Sequence, residues 1–218
     1  MKKSILPLLL VMWTAGSVGL GTAVGQTTDQ PNSPKDVSEA SLVENIKRLS
    51  KPELVGLSDA QPLPLQLAVK QQTLAYIDAL LERYPKTSFR EEALVIKLRT
   101  LADLARVHPA HLQQLLSLTD EIARGGAKDR LASENAFYAI QAFVLGARHE
   151  GMPERRRLIG TRERYEAFLE DYPKSEHIPV IRASLIRNLI ALNKIDLARA
   201  EFDKLKRDHP DHKATRRA

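Results

Sequence analysis

The chain has 218 residues, no cysteine and a formal net charge of +6. Without cysteine there can be no disulfide, no thiolate nucleophile, no cysteine-based metal site and no lipobox anchor. Hydrophobic residues make up 43% and aromatics only 5%, and the abundant Leu, Ala, Arg, Glu and Lys lose little rotamer freedom in a helix, so the composition favours an all-α fold over a sheet.

In chain order, Lys2 and Lys3 precede an uncharged stretch from Ser4 to Gly25, with small residues before Gln26. That layout predicts a secretory signal peptide over 1–25, with an uncleaved N-terminal membrane anchor as the alternative. Residues 26–41 are rich in Thr, Asp, Gln, Pro, Asn and Ser and are expected to form a disordered tether. The helical body is then expected over 42–218. A short helix is predicted from Leu42 to Leu49, closed by Lys51-Pro52, with Pro62 and Pro64 marking a loop.

From Gln66 onward, steps of three and four between apolar residues predict amphipathic helices. The first carries Leu67, Leu74, Ile77, Leu81 and Tyr84 before Pro85, and the second Leu94, Leu98, Leu101 and Ala105 before Pro109. Leu115, Leu118 and Ile122 mark the next, closed by Gly125-Gly126. Phe137, Ile140, Val144 and Ala147 follow, closed near Gly151. Pro153 suits the first turn of a helix with Leu158, Tyr165, Phe168 and Tyr172 on its face. Ile178, Ile181, Leu185, Leu189 and Leu192 define the penultimate helix. Ile195, Ala198, Phe202 and Leu205 define the last, stopped by Pro210, with Phe202 expected as a core contact between these two. The short connections predict antiparallel neighbours.

A repeat overlies this pattern. Leu81-Glu82-Arg83-Tyr84-Pro85-Lys86-Thr87-Ser88 recurs as Leu169-Glu170-Asp171-Tyr172-Pro173-Lys174-Ser175-Glu176, and more loosely as Leu205-Lys206-Arg207-Asp208-His209-Pro210-Asp211. The proline ends one helix and the Ser or Thr two residues later can cap the next. Two-helix units in series predict an α-solenoid of antiparallel helical hairpins.

The stretch Ile178 to His212 resembles a tetratricopeptide repeat. Leu185 occupies a core position of its first helix, Ala198 the small-residue position of its second, Phe202 the following aromatic position and Pro210 the terminal proline. Asn193 replaces the usual turn glycine, which Asn does at little strain because it tolerates left-handed backbone angles. Tyr-Pro-Lys-Ser units behind a signal peptide are similar to bacterial periplasmic repeat proteins of the outer-membrane assembly and Tol-Pal accessory kind. The resemblance implies a location in the cell envelope and a scaffold that binds a partner protein, and it brings no catalytic residue. Family geometry places Val180, Ala183, Arg187 and Ala191 on the concave face, Arg187 being the only charged one.

Other chemistry finds little footing. His108-Pro109-Ala110-His111 and His209-Pro210-Asp211-His212 share a His-Pro-x-His pattern, but the proline breaks the helix that would put both rings on one face, and no metal site is expected. There is no Gly-x-Ser-x-Gly elbow and no His-Glu-x-x-His. Gly125-Gly126-Ala127-Lys128 is too short for a phosphate loop and suits a turn instead. No catalytic residue and no cofactor are therefore expected.

Residues 150–218 carry 16 basic and 12 acidic side chains. The densest cluster, Arg155-Arg156-Arg157, is the candidate for docking an acidic partner segment or an anionic surface, against a solvated charged face as the plain alternative. Nucleic acid is not expected, because an exported protein rarely meets it.

The leading expectation is a periplasmic or secreted, non-catalytic scaffold or adaptor that binds a partner protein through a helical-repeat groove. A second is the helical N-terminal portion of an exported multi-domain protein of thioredoxin-like kind, since the basic tail 213–218 follows the last helix without a polar capping helix. A third, an envelope polysaccharide-acting enzyme, would need a convergent pair of acids that the sequence does not offer.

Overall fold

The computed structural model describes residues 37–50 and 63–217. The expected signal peptide, residues 26–36 of the expected tether, and the Lys51-Pro52 stop lie outside the described residues. Among the described residues there are eight α-helices and no strand: α1 (Glu39–Ser50), α2 (Leu63–Arg83), α3 (Arg90–Ala105), α4 (Pro109–Arg124), α5 (Asp129–His149), α6 (Glu154–Asp171), α7 (Ile178–Ala191) and α8 (Ile195–Asp208). A single 3-10 turn follows at Thr215–Arg217. The chain is all-helical, as the composition and the three-and-four spacing indicate.

Two boundaries differ from the sequence reading. α1 opens at Glu39 rather than Leu42, with Ser38 ahead of it accepting a hydrogen bond from the Ser41 N–H on its Oγ (3.4 Å). Pro64 is not in a loop but in the first turn of α2, where its missing N–H would have no intrahelical partner anyway.

Each helix packs on the next one along the chain, and α3 packs in addition on α5. α3 is consequently the most enclosed element: Ala93, Leu94, Val95, Ile96, Leu98, Leu101, Ala102, Leu104 and Ala105 are all buried, because α2, α4 and α5 each cover part of its surface. Leu98, Leu101, Leu115 and Ala142 form the centre of the largest apolar cluster. Ile140, Phe168, Ile178 and Ile181 form another, which joins α5, α6 and α7. Ala183, Leu185, Leu189, Ala198 and Leu205 close the C-terminal pair. Phe202 packs against that pair only half-buried. Among the described residues α8 is covered chiefly by α7 and the short 3-10 turn, and the fully enclosed contact is Leu205, not Phe202.

The repeated octapeptide has a repeated backbone. In the first copy the N–H groups of Tyr84, Thr87 and Arg90 donate to the carbonyls of Leu80, Tyr84 and Thr87 (2.8, 3.0 and 3.2 Å), and the Phe89 N–H donates to Thr87 Oγ1 (3.2 Å). In the second, Tyr172, Ser175 and Ile178 donate to Phe168, Tyr172 and Ser175 (3.0, 3.0 and 3.2 Å), and the His177 N–H donates to Ser175 Oγ (3.3 Å). The loose third copy follows suit: His209, His212 and Thr215 donate to Leu205, His209 and His212 (2.9, 3.3 and 2.9 Å). Here the His212 imidazole stands in for the hydroxyl, its Nδ1 accepting from the Ala214 N–H at 3.0 Å. The proline stops one helix and the acceptor two residues later steers the chain toward the next.

Three other junctions use left-handed C-terminal turns, at Gly126 (φ 68°), Gly151 (φ 66°) and Asn193 (φ 58°). At the last, the Lys194 N–H donates to Leu189 O (2.8 Å) and the Asn193 N–H to Ile190 O (2.9 Å), satisfying carbonyls that the helix leaves open. Asn193→Ala puts a Cβ-bearing residue of poorer left-handed tolerance there and is expected to cost about 1 kcal/mol, while Asn193→Gly is tolerated. Urea unfolding of the two variants checks this, and equal midpoints would remove the turn's demand for a left-handed residue.

Candidate functional site

Two places concentrate chemistry. The first is a groove of about 460 Å³ whose floor is formed chiefly by α5 and α7, with Tyr165 of α6 at its side and Arg106 at the end of α3 above it. Phe137, Ile140, Val144, Val180 and Ile181 supply its apolar surface. The helical period brings Phe137, Ile140 and Val144 to one side of α5, where Ile140 is buried against α6 and α7 while Phe137 and Val144 stay half-open. Arg106 and Arg148 border the groove, with the Arg106 guanidinium donating to Gln141 Oε1 at 2.9 Å. Arg187 donates to Ser184 Oγ (3.0 Å), itself a groove residue. Burial pushes the Tyr165 phenol up, offset in part by its hydrogen bond with Ser184 and the nearby charge of Arg187. Of the expected set, Val180 lines the groove and Arg187 meets it through Ser184, while Ala183 is packed in the core and Ala191 borders a separate cavity with Arg155.

The second place is a knot of charged side chains where α5 meets the Tyr172-to-His177 turn. Glu134 is buried to 3% exposure within α5, and its Oε2 lies 3.1 Å from Nε2 of His177. The His177 ring lies flat on Phe137, with centroids 3.8 Å apart and planes 3° from parallel. Glu134, Glu176 and His177 each offer a ligand atom within 4.8 Å of the others. Burial pushes the Glu134 carboxyl up. The close approach and charge of His177, the neighbouring Glu176 and the charge of Arg130 outweigh it and hold the group below the usual carboxylate range. Arg130 in turn pairs with Glu92 on α3 at 2.9 Å, which raises the guanidinium further. The knot therefore ties α3, α5 and the α6–α7 turn together.

Sequence reasoning did not single out Glu134, Glu176 or His177. The usable signal was Glu134 itself. It stands four residues before buried Tyr138 and so falls on the inward stripe of α5, where an ionised side chain needs partners.

The arginine cluster is spread by helix geometry. Successive residues turn by about 100° on a helix of 3.6 residues per turn, so three in a row diverge. Arg155 and Arg156 are exposed, whereas the Arg157 side chain is only 19% exposed and lies 4.0 Å from Glu154. Arg155 borders a separate cavity with Arg162 and Lys194. The structure brings none of the three to the α5–α7 groove. The other histidine pair is taken up locally: the His108 and His111 rings meet edge-on at 6.4 Å, and His111 Nδ1 lies 2.9 Å from Gln114 Oε1. Gly125-Gly126 forms the left-handed turn described above.

No helix among the described residues is long and apolar enough to cross a membrane. Comparison with protein-family models, curated proteins and solved structures finds no match for this chain.

Proposed function

We propose that the chain is an exported, non-catalytic helical-repeat scaffold or adaptor, and that it holds a segment of a partner protein in the α5–α7 groove. The single observation that carries this reading is the groove itself: an open apolar stripe bordered by Arg106 and Arg148, with Arg187 hydrogen-bonded to the lining Ser184. Apolar floors with charged rims suit peptide segments, the floor providing contact area and the rim register and sign. The partner segment is amphipathic and acidic, since Arg148 and the Asp103-paired Arg106 at the rim, with Arg187 next to the lining Ser184, disfavour a basic one.

The solenoid reading is supported by packing that runs from neighbour to neighbour along the chain, with α3 reaching α5, and by turns whose backbone repeats with the sequence. In such a stack α3, α5 and α7 are alternate helices, the set that lines the inner face of a tetratricopeptide array. Export rests on Lys2-Lys3 and the uncharged run to Gly25, and a periplasmic or secreted location follows from it.

Fluorescence anisotropy tests the groove directly with two synthetic peptides sharing the same apolar residues, one with Asp and Glu between them and one with Lys. The acidic peptide is expected to bind and to weaken at least tenfold between 0.1 and 1 M salt, as the screening length shrinks from about 10 Å to about 3 Å. Arg148→Glu with Arg187→Glu removes that binding. Equal binding of both peptides, or of neither, overturns the reading.

A further inference from the structure

From the knot at Glu134 we infer a second site, independent of the groove: Glu134, Glu176 and His177 bind a divalent first-row transition-metal ion of the zinc class. Two carboxylates and an imidazole are a ligand set that such ions take, and imidazole favours them over calcium or magnesium. Bonds of about 2.0–2.2 Å in tetrahedral array set ligand atoms roughly 3.4 Å apart. The three side chains already have ligand atoms within 4.8 Å of one another, with the Glu134–His177 pair at 3.1 Å.

Three further observations favour a cation. First, His177 Nε2 is buried yet lacks an aligned hydrogen bond, its approach to Glu134 being close but not in line. A buried ring nitrogen in that state has a lone pair or a proton to place. Second, the carboxylates of Glu134 and Glu176 lie within 4.8 Å of each other, and a cation between them offsets their mutual repulsion. Third, the surroundings are electronegative. A cavity of about 530 Å³ opens beside the knot, bordered by four carboxylates (Asp129, Glu134, Asp171 and Glu176) against Arg130 and Lys174, and Arg130 is already paired with Glu92. That cavity gives the ion a way in and leaves room for water as a fourth ligand.

The scaffold positions the set. The stack on Phe137 fixes the plane of the His177 ring, and the bond from its N–H to Ser175 Oγ fixes its backbone. Glu134 is held in the buried second turn of α5. Glu176 is the exposed, adjustable ligand.

Isothermal titration of the 218-residue protein with zinc chloride, in a buffer that does not bind metal, tests the site. The expected result is one ion per chain at micromolar affinity or tighter, and a melting midpoint raised by about 5–10 °C when zinc stands at a hundredfold excess over its dissociation constant. Glu176→Gln, at the exposed ligand, should weaken binding at least tenfold and leave the metal-free melting midpoint in place. Replacing His108 and His111, or His209 and His212, by Asn should leave binding unchanged. Cobalt(II) absorption in the d–d region, lost in His177→Gln, reports imidazole ligation directly. No binding of zinc, cobalt or manganese below 100 micromolar, as an order of magnitude for a built site, overturns the inference. So does binding that survives Glu176→Gln but disappears with the His108 and His111 replacements.

Discussion

Phe168→Ala should destabilise the protein by about 3–5 kcal/mol, the range for truncating an enclosed aromatic ring. Phe168 is 2% exposed and packs with Ile140 of α5 and with Ile178 and Ile181 of α7. One side chain thus joins three helices, and removing it leaves a void that the adjoining Tyr172 ring, 5.2 Å away between centroids, can only partly fill. Equilibrium unfolding in urea, followed by helical circular dichroism, gives the value. Phe202→Ala, at the half-buried ring of α8, serves as the internal comparison and should cost clearly less. If the two costs are equal, the α5–α6–α7 cluster is not the packed junction described above.

Leu205→Ala should cost about 2–5 kcal/mol, but the manner of its loss is more informative than its size. Leu205 is fully buried between α7 and α8. In a stack whose units touch only their neighbours, a defect in the terminal unit lowers that unit's stability first. Hydrogen exchange is therefore expected to speed up over residues 178–208 while the amides of α3 stay protected. Uniform loss of protection across α3 and α8 together would mean a single cooperative core and would remove the solenoid reading.

Much of the fold was legible because its signals are local. The three-and-four spacing of Leu94, Leu98, Leu101 and Ala105 placed α3, and each of these residues is buried. Tyr-Pro-Lys-Thr and Tyr-Pro-Lys-Ser announced two junctions whose hydrogen bonds match position by position. Asn193 has the left-handed backbone that its place in the turn required. The stripe on α2 was less legible. Thr73, Tyr76, Ile77 and Leu80 are its buried residues, whereas the expected Leu74 and Leu81 lie at its edge, because two neighbouring helices cover α2 from different sides. Ile195 was placed on the inner face of α8 and is 49% exposed.

The candidate sites were harder to read, for a physical reason. Arg187 was singled out from the geometry of the resembled repeat, and in the structure it is held to Ser184, which lines the groove. Arg106 and Arg148 could not be singled out, because only the packing of α3 on α5 brings them to one groove. The knot is more remote still, joining Glu134 to a turn 42 residues later. Charge density along the chain pointed instead to Arg155, Arg156 and Arg157, where adjacency in sequence means divergence on a helix.

The most direct measurement is site-specific photocrosslinking in cells that produce the protein. A photoreactive residue at Val144 in the groove is compared with one at Ile159, beside Arg155 on α6. A scaffold that holds its partner in the groove gives a discrete adduct with one polypeptide from Val144, and Arg148→Glu with Arg187→Glu abolishes it. Adducts that form from Ile159 and not from Val144, or that form from Val144 undiminished by the two charge reversals, would contradict the groove as the binding surface.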